Sequence, residues 1–147
     1  MPITIDSSRF GPIDVADEAV IEFPAGLIGL AGSRYTLILR EESRPFLWLQ
    51  SLDDPSLAMP VTQPGNFFRS YVVEISDSEA DRIGVSDPSQ AAVYVTVRAT
   101  DKIEDFSANL RAPILIVGRR GYQVINEAEG TSVRTPLFSE IALEQVA

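Results

Sequence analysis

Short apolar runs separated by turn residues, rather than long amphipathic stretches, set the pattern of this chain. Ile3 and Ile5 alternate with Pro2, Thr4 and Asp6, and Ile13-Asp14-Val15 alternates again after the break Phe10-Gly11-Pro12, predicting two short strands. Val20-Ile21-Glu22-Phe23 predicts a third, stopped by Pro24. Residues 25–30 then set Gly26 and Gly29 in apolar surroundings, as in a tight loop whose leucines still reach the core. The spacing is not that of a phosphate-binding loop, and no helix follows. Residues 34–40 are rich in β-formers and end in the polar loop 41–45.

The chain is organised around residues 46–62, FLWLQSLDDPSLAMPVT. Phe46-Leu47-Trp48-Leu49 predicts a buried strand, with Trp48 in the core rather than an exposed contact. Gln50-Ser51-Leu52-Asp53-Asp54-Pro55 turns polar as a strand does on leaving the core, and Asp, Ser and Pro suit the turn. Leu57–Val61 then predicts a second strand. Gln63–Asn66 is a turn, and Phe67-Phe68 follows it. Adjacent residues on a strand face opposite ways, which predicts one of these two rings exposed for a hydrophobic contact. Residues 70–75 predict a further strand.

Residues 76–84 predict the one clear helix, with Asp77 or Ser78 as cap, acids in its first turn, Arg82 near its end and Gly84 closing it. In residues 92–98, Val93, Val95 and Val97 face one way and Tyr94, Thr96 and Arg98 the other. Asp101–Asp105 is a charged loop. Ile114–Val117 and Tyr122–Ile125 predict a hairpin about Arg119-Arg120-Gly121. The tail 139–147 either forms a helix of about two turns or stays loose. Nine or more short strands with one helix predict an all-β single domain, mainly antiparallel, a barrel or a sandwich.

Composition narrows the chemistry. Cysteine and histidine are both absent, which removes disulfides, Ser-His and Cys-His nucleophiles, and the usual zinc and iron sites. The net charge is −9, from 21 acidic and 12 basic residues. Such a chain repels nucleic-acid phosphates and suits a basic protein partner, although acidity also serves solubility alone. Residues 71–105 carry eight acids against three bases, a net of −5, whereas 106–147 balance. No apolar run reaches the ~20 residues of a membrane span and no secretory signal opens the chain, so the expected compartment is the cytoplasm.

Asp53-Asp54 is the first candidate for catalysis or metal binding. Adjacent carboxylates on an extended chain diverge, and neither glycosidase nor calcium-loop spacing is present, which favours a turn or a contact surface. Asn109 reads as a turn-former bonding neighbouring backbone, or else as a polar contact. From these residues the reading is an acidic, all-β, cytosolic binding protein.

Four blocks go further. Residues 10–15 (FGPIDV), 23–29 (FPAGLIG), 46–62 with the core WLQSxDDPxLA, and 107–114 (SANLRAPI) resemble the bacterial flagellar assembly factor FliW family, with Gln123–Ile125 and Arg134–Leu137 matching its closing blocks. Ser107, Val117 and Thr131 depart from residues common in that family and leave the two diagnostic blocks intact. The resemblance implies a small β-barrel-like domain over residues 1–138, without enzymatic activity or cofactor. It also implies binding to the translational regulator CsrA, relieving repression of flagellin mRNA, and to flagellin in a feedback switch. Direct nucleic-acid or membrane binding is not expected, and a monomer is the default. Gln50, Ser51, Asp53, Asp54, Pro55, Phe67, Phe68 and Asn109 are the expected partner surface, with Asp101, Glu104 and Asp105 supplying long-range field. The alternatives are a flagellin-only chaperone, a small-molecule-binding barrel and a carboxylate hydrolase.

Overall fold

A computed structural model describes residues 3–28, 32–84 and 91–138. Its strands are β1 (Ile3–Ser7), β2 (Gly11–Val15), β3 (Ile21–Glu22), β4 (Arg34–Leu39), β5 (Phe46–Ser51), β6 (Ala58–Thr62), β7 (Ala92–Arg98), β8 (Ser107–Ala108), β9 (Ile114–Val117), β10 (Arg120–Gln123) and β11 (Thr135–Pro136). Among the described residues one α-helix, α1, spans Asp77–Ile83. Seven strands close on themselves in the order β7-β6-β5-β4-β3-β10-β9, and β9 returns to β7. The architecture is therefore a barrel. All its pairings are antiparallel except β3 with β10. β8 extends from β7 and β11 from β8, while β1 and β2 form a separate hairpin.

The alternation of side chains explains the closure. Ile21, Tyr35, Leu37, Leu47, Leu49, Met59, Val61, Tyr94, Ile114 and Ile116 pack together with Phe23 and Leu27 as the barrel filling. No residue of β10 joins that cluster. Its Gly121 leaves the space to Phe23, whose ring atoms stand only 2.5 Å from where a Cβ would be. The valines of β7 point the other way and are covered from outside. Val95 and Val97 pack with Phe67, Phe68, Ala108, Leu110 and Leu137. Val93 joins Ile83, Leu115, Tyr122 and Val124 beneath α1. The β1–β2 hairpin covers another stretch through Ile5, Val15 and Leu52. A wall buried on both faces accounts for the continuous apolar run of Ile114–Val117.

Several expectations need correction. Residues 70–75 form no ladder. The buried amide of Asn126 replaces one: its Nδ2 donates to the Val72 carbonyl at 2.8 Å and its Oδ1 accepts the Glu74 N–H at 2.9 Å. Phe67 and Phe68 sit not on a strand but after the 3-10 turn Pro64–Asn66, with both N–H groups donating to the Pro64 carbonyl at 3.0 and 2.8 Å. That turn directs both rings inward, leaving them 6% and 7% exposed, so neither is the exposed contact expected of a strand. Trp48 is half-buried on the outer face of β5, against Phe10 and Arg9, rather than in the core. Ser76, not Asp77 or Ser78, caps α1 by accepting the Glu79 N–H at 3.2 Å, while Gly84 closes the helix as expected. The hairpin β9–β10 forms as predicted. The expectation for the tail 139–147 lies outside the described residues, as does Gly29.

Candidate functional site

The turn after β5 is built from buried polar side chains upward. Gln50 and Ser51, expected at a partner surface, are both fully buried. The Gln50 Oε1 accepts the Ser7 hydroxyl at 2.7 Å, and its Nε2 faces the carbonyls of Ser51 and Leu57 at 2.9 and 3.1 Å. Ser51 Oγ accepts the N–H groups of Asp53 and Asp54 at 3.1 and 2.9 Å. These two residues cannot touch a partner while so enclosed; they shape the loop that can. The turn is locked to the β1–β2 tip as well, where the Ser8 N–H donates to the Pro55 carbonyl at 3.0 Å.

Asp53 and Asp54 point into separate sets of donors. Asp53 Oδ2 accepts the Ser33 and Arg34 N–H groups at 2.9 and 3.0 Å, and its Oδ1 takes the Arg34 fork at 3.1 and 3.0 Å. Gly32 permits this approach: its φ is +95° and a Cβ there would stand 3.3 Å from Asp53 Oδ2. The backbone N–H groups of Ser33 and Arg34, helped by the Arg34 guanidinium, hold Asp53 below the ordinary carboxylate range. The Ser56 hydroxyl and N–H, donating at 2.6 and 3.0 Å, lower Asp54 likewise. Carboxylates held this way are weak general bases near neutral pH, and they act instead as fixed charge and loop anchors. Asp53, Asp54 and Pro55 all remain exposed.

Asn109 opens an irregular stretch in the wall. Val97 pairs with Ala108 and Tyr94 with Ile114, so two residues of β7 face the five of Asn109–Pro113, three more than a regular ladder holds. Asn109 Oδ1 accepts the N–H groups of Arg111 and Ala112, both at 3.1 Å, and its own N–H donates to the Thr96 carbonyl at 3.0 Å. It is the turn-former of the two readings. The same residue lines a cleft of about 320 Å³ with Leu57, Met59, Thr96 and Ile114. Gln123 borders the cleft, its Oε1 accepting the Ile28 N–H at 2.8 Å and its Nε2 donating to the Ala112 carbonyl at 3.0 Å. Leu57 ends the acidic turn and also lines the cleft, so Asp53–Pro55 and Asn109 belong to one region.

The other expected residues sit on other elements. Phe67 and Phe68 are in the aromatic cluster with Phe46, at the far end of β5 from the acidic turn. Asp101, Glu104 and Asp105 are exposed on the loop between β7 and β8. No local pattern marks Arg34, Gln123 or Met59 as site residues, because their partners are distant along the chain. The glycine before Ser33-Arg34 was the one local hint.

Comparison with known proteins places this geometry. The family model described as FliW protein matches residues 4–137. The flagellar assembly factor FliW of Ruminiclostridium cellulolyticum is 32% identical over 146 residues, covering 97% of this chain and 99% of the relative. That of Caldanaerobacter subterraneus subsp. tengcongensis is 34% identical, with 93% and 94% covered. A crystal structure described as that of the flagellar assembly factor FliW matches with a TM-score of 0.83 at 27% identity, over 94% of this chain and 99% of that one. An acidic turn and a bulged strand on a seven-stranded barrel thus stand within a shared sequence and a shared fold, and the chain belongs to the FliW family of flagellar assembly factors.

Proposed function

We propose that this chain is a non-enzymatic, cytoplasmic flagellar assembly factor that binds and antagonises CsrA and also binds flagellin. The family match over residues 4–137 carries the reading. Flagellin accumulating in the cytoplasm would occupy the chain and free CsrA, closing a feedback loop by mass action. The charge of −9 supports the CsrA half, because an RNA-binding regulator presents a basic face. Asp54, Pro55 and Asn109 are the proposed contacts. Gln50, Ser51 and Asp53 hold them from beneath, Phe67 and Phe68 stiffen the distant end of the barrel, and Asp101, Glu104 and Asp105 steer the partner.

The test is a pull-down of the tagged chain with CsrA and flagellin of its own organism, each alone and both together, at low and high salt. Both proteins should bind, and capture of CsrA should fall with salt. Capture of neither would sink the reading; capture of flagellin alone would select the flagellin-only chaperone. A small-molecule-binding barrel keeps one observation in its favour, the cleft lined by Leu57, Met59 and Ile114. Saturable binding of a metabolite there, lost in Met59→Ala, would select it.

A further inference from the structure

The outer face of β5 carries charge of the opposite sign to the molecule. The Arg9 guanidinium lies over the Trp48 ring, 4.2 Å from its centroid, and the Arg40 guanidinium stands 5.1 Å from the centroid of Phe10. Phe10 meets Trp48 edge to face at 5.8 Å. Two rings and two guanidiniums thus form one continuous array. Ile38 and Pro60, the cross-strand neighbours of Trp48, extend it as half-buried apolar surface. Among the described residues neither Arg9 nor Arg40 makes an ion pair, and both are exposed. Glu41, next to Arg40 in sequence, is held by Arg44 at 2.9 Å, and in the acidic turn Asp53 is held by Arg34 at 3.0 Å and Asp54 by the Ser56 hydroxyl at 2.6 Å.

The array is held in place from below. Ser7 Oγ accepts the N–H groups of Arg9 and Phe10 at 3.2 and 3.1 Å and donates to the buried Gln50. A guanidinium stacked on a ring keeps its in-plane N–H donors free, in the fork geometry that matches a carboxylate. We propose that this face is a docking platform for an acidic peptide segment. Its carboxylates would meet Arg9 and Arg40, and an apolar or proline side chain would lie on Trp48 and Phe10. Stacked rings and guanidiniums also suit single-stranded RNA, but a polyphosphate approaching a chain of net charge −9 is repelled along its whole length. A peptide presenting two or three carboxylates to one local cationic patch is repelled far less.

Trp48 is the chain's one tryptophan, so its emission reports this surface alone. The experiment selects peptides from a random display library on the immobilised full chain, then titrates a synthetic copy of the enriched sequence while following Trp48 fluorescence. Net-negative peptides should be enriched, and the titration should shift the emission saturably. Affinity should fall on the order of tenfold in Arg9→Gln/Arg40→Gln, and by less in Arg9→Lys/Arg40→Lys, which keeps charge but loses the planar fork. Thermal melting checks that each variant is folded, and the lysine pair serves if the glutamine pair is not. Enrichment of neutral or basic peptides, no enrichment over an uncoated surface, or binding indifferent to both variant pairs would each overturn the proposal. An equal emission shift with oligouridylate would reassign the platform to RNA.

Discussion

With its oxygen on the Ser7 hydroxyl and its nitrogen facing the carbonyls of Ser51 and Leu57, Gln50 joins the β1–β2 tip to the acidic turn. Removing it leaves buried polar groups without partners, which costs more than the bonds themselves contribute. Gln50→Ala should therefore destabilise the protein by about 2–4 kcal/mol, read as a lower urea midpoint with little change in slope. Asp53 works through its charge. Its carboxyl is held below the ordinary range in the folded state by the Ser33 and Arg34 N–H groups, so its contribution is fully present above the unfolded pKa and fades as pH falls through the folded one. Asp53→Asn should accordingly melt lower than the wild type near pH 7, and the gap in melting temperature should close toward pH 3. At this scale the sequence was legible for residue types and silent on direction. A glutamine at a strand end reads as solvated, and its burial depends on the distant Ser7 hydroxyl together with the carbonyls of its own turn. Adjacent acids read as a bare negative tip, yet Arg34 neutralises one of them from another strand.

The elements themselves were largely readable, because burial on alternate positions is a local signal. β7 follows from it, β5 and the β9–β10 hairpin follow from short apolar runs bounded by turn residues, and α1 follows from its acidic start and Gly84. The failure at residues 70–75 has a cause in Asn126. The segment is rich in β-formers, but its polar backbone is met by the buried Asn126 amide and the Glu127 N–H rather than by a ladder. Of the irregular stretch Asn109–Pro113 the sequence marks only Asn109, as a turn-former or polar contact, since the place of the stretch opposite β7 depends on register. β10 supplies a sharper test of packing. A methyl group at Gly121 would meet the Phe23 ring at 2.5 Å, and Phe23 is wholly enclosed with no room to retreat. Gly121→Ala should destabilise by about 1–3 kcal/mol, and Gly121→Val by more, both measurable by chemical denaturation. Recovery of stability in the double variant Phe23→Leu/Gly121→Ala would show that the ring is the obstacle.

For the whole molecule, charge and closure matter most. The exposed acids Asp101, Glu104 and Asp105 stand on the loop between β7 and β8, and their proposed role is steering. Replacing them with Asn, Gln and Asn should slow association with CsrA several-fold at low salt and leave dissociation nearly unchanged. The difference should vanish near 1 M salt, where the screening length is about 3 Å; stopped-flow mixing would resolve both rates. An all-β domain was evident from strand count and spacing, whereas barrel rather than sandwich followed only from the family resemblance, because one of the pairs that close the wall is Glu22 with Arg120. No local pattern announces a parallel contact between residues so far apart. That single pair also governs how the protein is made. A ribosome releases β3 well before β10, so the wall stays open, with β3 and β9 offering unpaired edges, until β10 has emerged. Topologies so dominated by distant contacts fold in roughly milliseconds to seconds, and the interval before closure is when neighbouring copies can join edge to edge.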